Sequence, residues 1–147
     1  MTQYKAQSTC PHCGHQLDTS SISESKKPVV DTPEKASSFF DYIRNKKQEC
    51  FALLTLDGAM QPIRKRTITI GTLTQSFVHP REVFAHAIKD RAASIIIAHN
   101  HPSGSLAISD SDKEVTRRIS DVGELMGIKL IDHIIVTRDD AISAMHI

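Results

Sequence analysis

Apolar and polar positions in the second half of the chain alternate between short unbroken apolar runs and stripes at helical spacing. The runs SIIIAH at 94–99 and KLIDHIIVT at 129–137 are typical of strands that are buried on both faces. The segment between them, from about Asp110 to Met126, predicts a helix that ends at Gly127. The apolar stripe of this helix consists of Val115, Ile119, Val122 and Met126.

The first half of the chain shows the same mixture of helix and strand patterns. Thr-Pro-Glu at 32–34 is a helix start, and apolar residues keep helical spacing through 36–43. The apolar run CFALLTLD at 50–57 predicts a strand, and the β-branched alternation in PIRKRTITIG at 62–71 predicts its returning partner. A further helix begins at Pro80.

These elements predict one α/β domain, preceded by an N-terminal segment of different composition. We expect a short Cys-rich segment at 1–15, a flexible serine-rich linker at 16–30 and the compact domain at 31–147. Within the domain, strands alternate with helices and no internal repeat occurs. The predicted architecture is an α/β sandwich, with a mixed β-sheet and flanking helices.

The composition of the chain limits the binding partners and the cellular compartment that we expect for the protein. The 147 residues are 39% hydrophobic and 24% charged, which fits a globular domain with a small appendage. The net charge of +1 argues against nucleic acid, although short basic clusters occur at 44–47 and 64–66. No apolar stretch has the length of a membrane helix, and the N-terminus lacks the apolar core of a signal peptide. Three cysteines make a poor disulfide framework, so we expect a cytoplasmic protein.

The stretch AHNHPSGSLAISDSD at 98–112 contains the strongest candidate chemistry. His99 and His101 lie two residues apart at the end of a predicted strand, so their imidazoles project to one side. Asp112 falls in the first turn of the next helix, from which its carboxylate can reach the strand end. Two histidines and one carboxylate leave the fourth position of a tetrahedral zinc ion open for water, which is the ligand count of a catalytic site.

Simpler interpretations of the same residues stay open. Ser109 and Asp112 have the spacing of a helix cap, with serine as the N-cap and an acid three residues later. Histidines also occur at strand ends for structural reasons, and His133 is either a hydrogen-bonded core residue or a support for the metal ligands. The conjunction of the histidine pair, the Pro-Ser-Gly turn and the acid favours a metal site, with which a capping role for Ser109 is compatible.

The sequence HNHPSG followed by SDSD resembles the JAMM motif, His-x-His-Pro and then Ser-x-x-Asp, of the MPN/JAB metalloprotease superfamily. The form AHNHPSG resembles the bacterial RadC branch in particular. The segments ECFALLTLD, GTLTQSFVHPREVFAHAI and GIKLIDHIIV extend this resemblance over about residues 33–145. It implies that the domain at 31–147 has the cytidine-deaminase-like JAB/MPN fold.

The resemblance also implies a role for each matching position. His99, His101 and Asp112 match the zinc ligands. Glu49, just before the first predicted strand, matches the catalytic glutamate, a general base that activates the zinc-bound water and passes the proton to the leaving amine. Ser109 matches the residue that stabilises the oxyanion of the tetrahedral intermediate. Without the resemblance, Glu49 is typical of a solvated loop residue.

The reaction implied by the resemblance is zinc-dependent hydrolysis of a peptide or isopeptide bond in a protein or peptide substrate. One alternative is a protein-binding module with the same fold that cleaves slowly or not at all. A second alternative is a DNA-associated protein, in line with the DNA-repair label of the RadC branch. In that case the Cys-rich segment and the basic clusters would contact phosphates, and DNA affinity would fall steeply with salt. The sequence does not indicate the oligomeric state.

The segment CPHCGH at 10–15 is a second candidate metal site. Cys10, Cys13 and His15 are candidate ligands of a structural metal ion in a zinc knuckle. A closed structural site needs four ligands, and no second Cys-x-x-Cys pair follows. Cys50 falls in a predicted core strand, so the alternative is a degenerate half of such a site.

Overall fold

The computed structural model describes residues 28–71 and 78–145 and confirms an α/β architecture with a mixed sheet in that part of the chain. The strands are β1 (Cys50–Leu56), β2 (Pro62–Ile70), β3 (Ser94–Asn100), β4 (Lys129–Val136) and β5 (Ala141–Ser143). The helices are α1 (Pro33–Ser38), α2 (Asp41–Arg44), α3 (Pro80–Lys89) and α4 (Asp110–Met126). No helix among these residues is long and apolar enough to cross a membrane.

The central strand of the sheet is β3. The strand order is β2-β1-β3-β4-β5, and β3 pairs antiparallel with β1 and parallel with β4. Every residue of β1 and β3 is buried, as expected for strands with helices over both faces of the sheet. The carboxyl end of β3 therefore lies between two neighbours, and residues of both can reach its side chains.

Two apolar clusters cover the two faces of the sheet. Alternate residues of β1 and β3, such as Leu54 and Ala98, pack on one face against α1 and α2. The residues between them, such as Leu53 and Ile97, pack on the other face against α3 and α4. This alternation decides which side chains of β3 face α4, because successive residues of a strand point to opposite faces.

The start of the compact domain differs slightly from the sequence-based boundary. Val30, predicted as linker, is 2% exposed, and its backbone N–H donates to the carbonyl of Met60 at 2.9 Å. The packed domain therefore begins no later than Val30, and the linker prediction is wrong for that residue. The rest of the predicted linker through 27, and the candidate ligands Cys10, Cys13 and His15, lie outside the described residues.

The helix predicted from 32–34 onward is broken into α1 and α2. Thr32 caps α1 as predicted, because its side chain accepts a hydrogen bond from the N–H of Lys35. The hydroxyls of Ser37 and Ser38 donate back to carbonyls one turn earlier, at 2.9 and 2.7 Å. Such bonds compete with the helical pattern, and the chain turns before Asp41 begins the second short helix. The apolar spacing alone does not reveal this break.

Helix α4 has the predicted bounds, and Gly127 ends it in the left-handed conformation with φ 68°. The predicted apolar stripe is wrong at its last member, because Met126 is 42% exposed. Gly123 takes the buried place near this end of the helix. A Cβ atom there would lie 2.6 Å from the carbonyl oxygen of Ile128, so α4 approaches the start of β4 more closely than any side chain allows.

We expect Gly123→Ala to destabilise the protein by about 1–3 kcal/mol, the usual cost of overpacking. Alanine inside a helix is normally about 1 kcal/mol better than glycine, so the expected sign is opposite to helix propensity. Urea unfolding followed by circular dichroism measures the difference. The exposed neighbour Glu124 supplies the control, and Glu124→Ala should leave stability nearly unchanged. A more stable Gly123→Ala protein would show that the close approach is wrong.

Candidate metal centre

The structure brings the three predicted metal ligands together at the carboxyl end of β3. Ligand atoms of His99, His101 and Asp112 all lie within 4.8 Å of one another. His99 is the penultimate residue of β3, and His101 follows the strand with its N–H bonded to the carbonyl of Val136 at 2.9 Å. Because the two histidines are two residues apart on an extended chain, both imidazoles face the start of α4.

The carboxylate of Asp112 is held in place by the cap of α4. Ser109 is the N-cap, and the two residues form a reciprocal capping box, which confirms the capping interpretation. The Oδ2 atom of Asp112 accepts from the N–H and the hydroxyl of Ser109 at 2.8 and 2.6 Å. The other oxygen, Oδ1, is thereby directed at Nε2 of His99, 3.1 Å away. One carboxylate thus serves both as cap and as candidate ligand.

The protonation of His101 follows from its outer hydrogen bond. Its Nδ1 atom lies 2.7 Å from the backbone carbonyl of Ser105, which can only accept a hydrogen bond. The proton of neutral His101 is therefore on Nδ1, and Nε2 carries a lone pair. That Nε2 atom lies 2.8 Å from Nε2 of His99 and faces the same space as the Asp112 carboxylate.

This donor set fits a cation. An imidazole lone pair and a carboxylate that converge in a buried place repel one another unless a positive charge lies between them. Two imidazole nitrogens and a carboxylate oxygen are ligands that Zn²⁺ takes in catalytic sites. Three protein ligands leave one tetrahedral position for water or substrate. The residues present therefore fit the zinc ion that the sequence predicts.

Burial and hydrogen bonding set the charge states around the site. Burial raises the pKa of the Asp112 carboxyl, but its interactions with His99 and Ser109 outweigh burial and hold that pKa well below its usual range. His133, which is fully buried behind His99, has its pKa lowered to about 3, first by burial and then by the charge of neighbouring His99. An ionised Asp112 and a neutral His133 next to His99 both suit a metal ligand set.

Glu49 directly precedes β1, the strand that pairs with the strand of His99. Phe51 of β1 is opposite His99 of β3, the last pair of the antiparallel register. Glu49 comes two residues before Phe51, and His101 comes two residues after His99. Glu49 is half-buried, and its carbonyl accepts from the N–H of Gly71 at 2.9 Å. It is not among the three residues whose ligand atoms converge.

Asn100 ties the Glu49 segment to the metal-binding strand. Its side chain is fully buried on the face opposite the histidines, and its Oδ1 atom accepts from the N–H of Cys50 at 2.6 Å. Its Nδ2 atom donates to the carbonyls of Lys46 and Gln48 at 3.3 and 3.2 Å. One side chain therefore bonds the backbone on both sides of Glu49. Asn100 was not predicted from the sequence, although an amide between two histidines at the end of an apolar run was a signal for it.

We expect Asn100→Asp to destabilise the protein by about 3 kcal/mol, because a buried carboxylate oxygen would face two carbonyl oxygens in place of the lost N–H bonds. Denaturant unfolding measures this loss. Asn45→Asp makes the same chemical change at an exposed position of the same loop and should have little effect. Equal stability of the two variants would mean that Asn100 does not hold this loop.

The fold and the ligand set together define the class of protein. It is an α/β domain whose central strand and following helix carry a His-x-His and aspartate site suited to a catalytic metal ion. Comparison with known proteins agrees, because residues 30–146 match the family described as RadC-like JAB domain. The chain belongs to this RadC-type branch of the JAB/MPN superfamily.

Relatives with the same domain occur in several microorganisms. A UPF0758 protein of Trichlorobacter lovleyi is 47% identical over 106 residues, which are 71% of this chain and 46% of the relative. A UPF0758 protein of Methanospirillum hungatei is 54% identical over 96 residues, 65% of this chain and 43% of the relative. Another from Finegoldia magna is 50% identical over 113 residues, 77% and 51% of the two chains. The chain thus spans about half the length of the curated relatives it matches.

Proposed function

We propose that this protein is a zinc-dependent hydrolase of peptide or isopeptide bonds, a metallopeptidase of the JAMM type. The observation that carries the proposal is the convergence of His99, His101 and Asp112, whose ligand atoms lie within 4.8 Å of one another. Glu49, two residues before the Phe51–His99 pair, is the proposed acid–base group that hydrolysis requires.

The residues around the site can divide the reaction between them. A zinc ion held by His99, His101 and Asp112 would supply Lewis acidity for the attack of water. Glu49 accepts a proton from the attacking water and passes it to the leaving amine as the bond to the carbonyl carbon breaks. Ser109 donates its hydroxyl to the developing oxyanion, for which it must turn away from Asp112, the acceptor that it has in this structure.

Internal ion pairs support a protein or peptide substrate over DNA. Two of the basic residues that would contact phosphate are engaged within the fold. Arg44 donates to the carbonyls of Thr137 and Asp140 at 2.9 and 2.7 Å. Arg66 pairs with the buried carboxylate of Asp90 at 3.0 Å. The unpaired, buried Cys50 is consistent with the reducing, cytoplasmic compartment that we propose.

The first prediction for this function concerns metal content. We expect the purified full chain to bind zinc with His99, His101 and Asp112 as ligands, and Asp112→Ala to lose that zinc. Elemental analysis after dialysis gives the stoichiometry, and circular dichroism reports whether the variant is folded. Asp110→Ala removes an exposed acid from the same helical turn and should keep the metal. Retention of all zinc in folded Asp112→Ala would contradict the site.

The second prediction concerns the proposed general base. We expect Glu49→Gln to keep its zinc and to lose hydrolysis by about 100- to 10,000-fold, the range for general acid–base groups. Internally quenched fluorescent peptides, joined by α-peptide or lysine isopeptide bonds, are the probes. Glu34→Gln makes the same change at an exposed position of α1 and should leave hydrolysis unchanged. Undiminished hydrolysis in Glu49→Gln would contradict this role, and a zinc-loaded chain that cleaves neither kind of probe would favour the binding-module alternative.

A further inference from the structure

A chain of hydrogen bonds runs from His99 away from the metal face into the core. The Nδ1 atom of His99 lies 2.8 Å from Nε2 of His133, a residue of β4. The Nδ1 atom of His133 lies 2.6 Å from the hydroxyl of Thr116 on α4, and that hydroxyl lies 2.7 Å from the backbone carbonyl of Asp112. These hydrogen bonds thus connect the candidate ligand His99 to the backbone of the candidate ligand Asp112.

We infer that His133 and Thr116 are positioning residues, which fix the tautomer of His99 so that its Nε2 lone pair faces the metal. The inference deepens the proposed function, because it rests on the same metal site. Neither residue touches the metal space. His133 acts on the metal site through His99, and Thr116 acts through His133 and through the backbone carbonyl of Asp112. The direction of each hydrogen bond determines the tautomer of His99.

The hydroxyl of Thr116 determines which atom donates in each of these hydrogen bonds. A backbone carbonyl only accepts hydrogen bonds, so the single hydroxyl proton of Thr116 is used on the carbonyl of Asp112. The hydroxyl oxygen can then only accept from Nδ1 of His133. A neutral His133 with its proton on Nδ1 has a bare Nε2, which accepts from Nδ1–H of His99. His99 is left with an unprotonated Nε2 that faces the other ligands.

The opposite direction would disable the site. If Thr116 donated to His133 instead, the proton of His133 would be on Nε2 and would point at Nδ1 of His99. Neutral His99 would then carry its proton on Nε2, in the place where a metal must bind. The carbonyl of Asp112 would also lose its bond from the hydroxyl, so the observed geometry favours the first direction.

Burial protects this chain of hydrogen bonds from competition by water. His133 is fully buried and His99 is 1% exposed, so water does not replace the bonds between them. The ring of Phe51 lies over His133 with centroids 6.1 Å apart. By contrast, His101 is oriented by the backbone carbonyl of Ser105, which no substitution removes. Of the two histidines, His99 is therefore the one whose orientation depends on side chains that can be tested by mutation.

The test is Thr116→Val, which keeps the β-branched shape and removes the hydroxyl. We expect zinc affinity of the full chain, measured by competition with a chromophoric chelator, to fall about 10- to 100-fold, as for other groups that orient metal ligands. Thr116→Ser restores the hydroxyl and should restore affinity. Thr55→Val removes another buried hydroxyl, at the far end of β1, and should leave zinc affinity unchanged even if stability falls.

A second measurement needs no metal and therefore separates this inference from the zinc site itself. Nitrogen-15 NMR of the imidazoles in the metal-free full chain should show His133 with its proton on Nδ1, and Thr116→Val should raise the share protonated on Nε2. A wild-type His133 protonated on Nε2 would overturn the inference, whether or not zinc binds. So would unchanged zinc affinity in Thr116→Val, whereas failure of the wild-type chain to bind zinc would overturn the proposed function instead.

Discussion

The pairing of β3 with a neighbour on each side is the constraint on which the rest of the site depends. Antiparallel pairing with β1 brings Phe51, two residues after Glu49, opposite His99. Parallel pairing with β4 brings His133 within hydrogen-bond distance of His99. Helices over both faces bury the strand, so its polar end groups must find partners within the protein. Asn100 points to the opposite face and bonds the backbone on both sides of Glu49.

Each candidate ligand is oriented by a different device. A loop carbonyl holds His101, the cap of α4 holds Asp112, and the bonds through His133 and Thr116 hold His99. All three devices consist of protein groups, so the fold itself orients the ligands. Such preorganisation lowers the entropic cost of metal binding and leaves the fourth position for a reacting molecule.

How well each part of the structure could be predicted depended on how far apart in the sequence its interacting residues are. The approach of His99, His101 and Asp112 rests on strand alternation and a helix cap, which are local rules. Glu49 was assigned only by resemblance, because its position depends on the register between β1 and β3 across 50 residues. Thr116 lies one helical turn after Asp112, and this spacing could have indicated its contact with the Asp112 backbone from the sequence alone. The break between α1 and α2 coincides with hydrogen bonds from two serine hydroxyls to backbone carbonyls, which apolar spacing does not indicate.

X-ray absorption at the zinc edge of the purified full chain tests the central claim, a two-histidine and carboxylate zinc site, most directly. We expect a shell of nitrogen and oxygen ligands at about 2.0–2.1 Å, with the outer scattering of imidazole rings, and its loss in Asp112→Ala. A shell made only of sulfur at about 2.3 Å would contradict the claim, because zinc would then be held by cysteines and not at the end of β3.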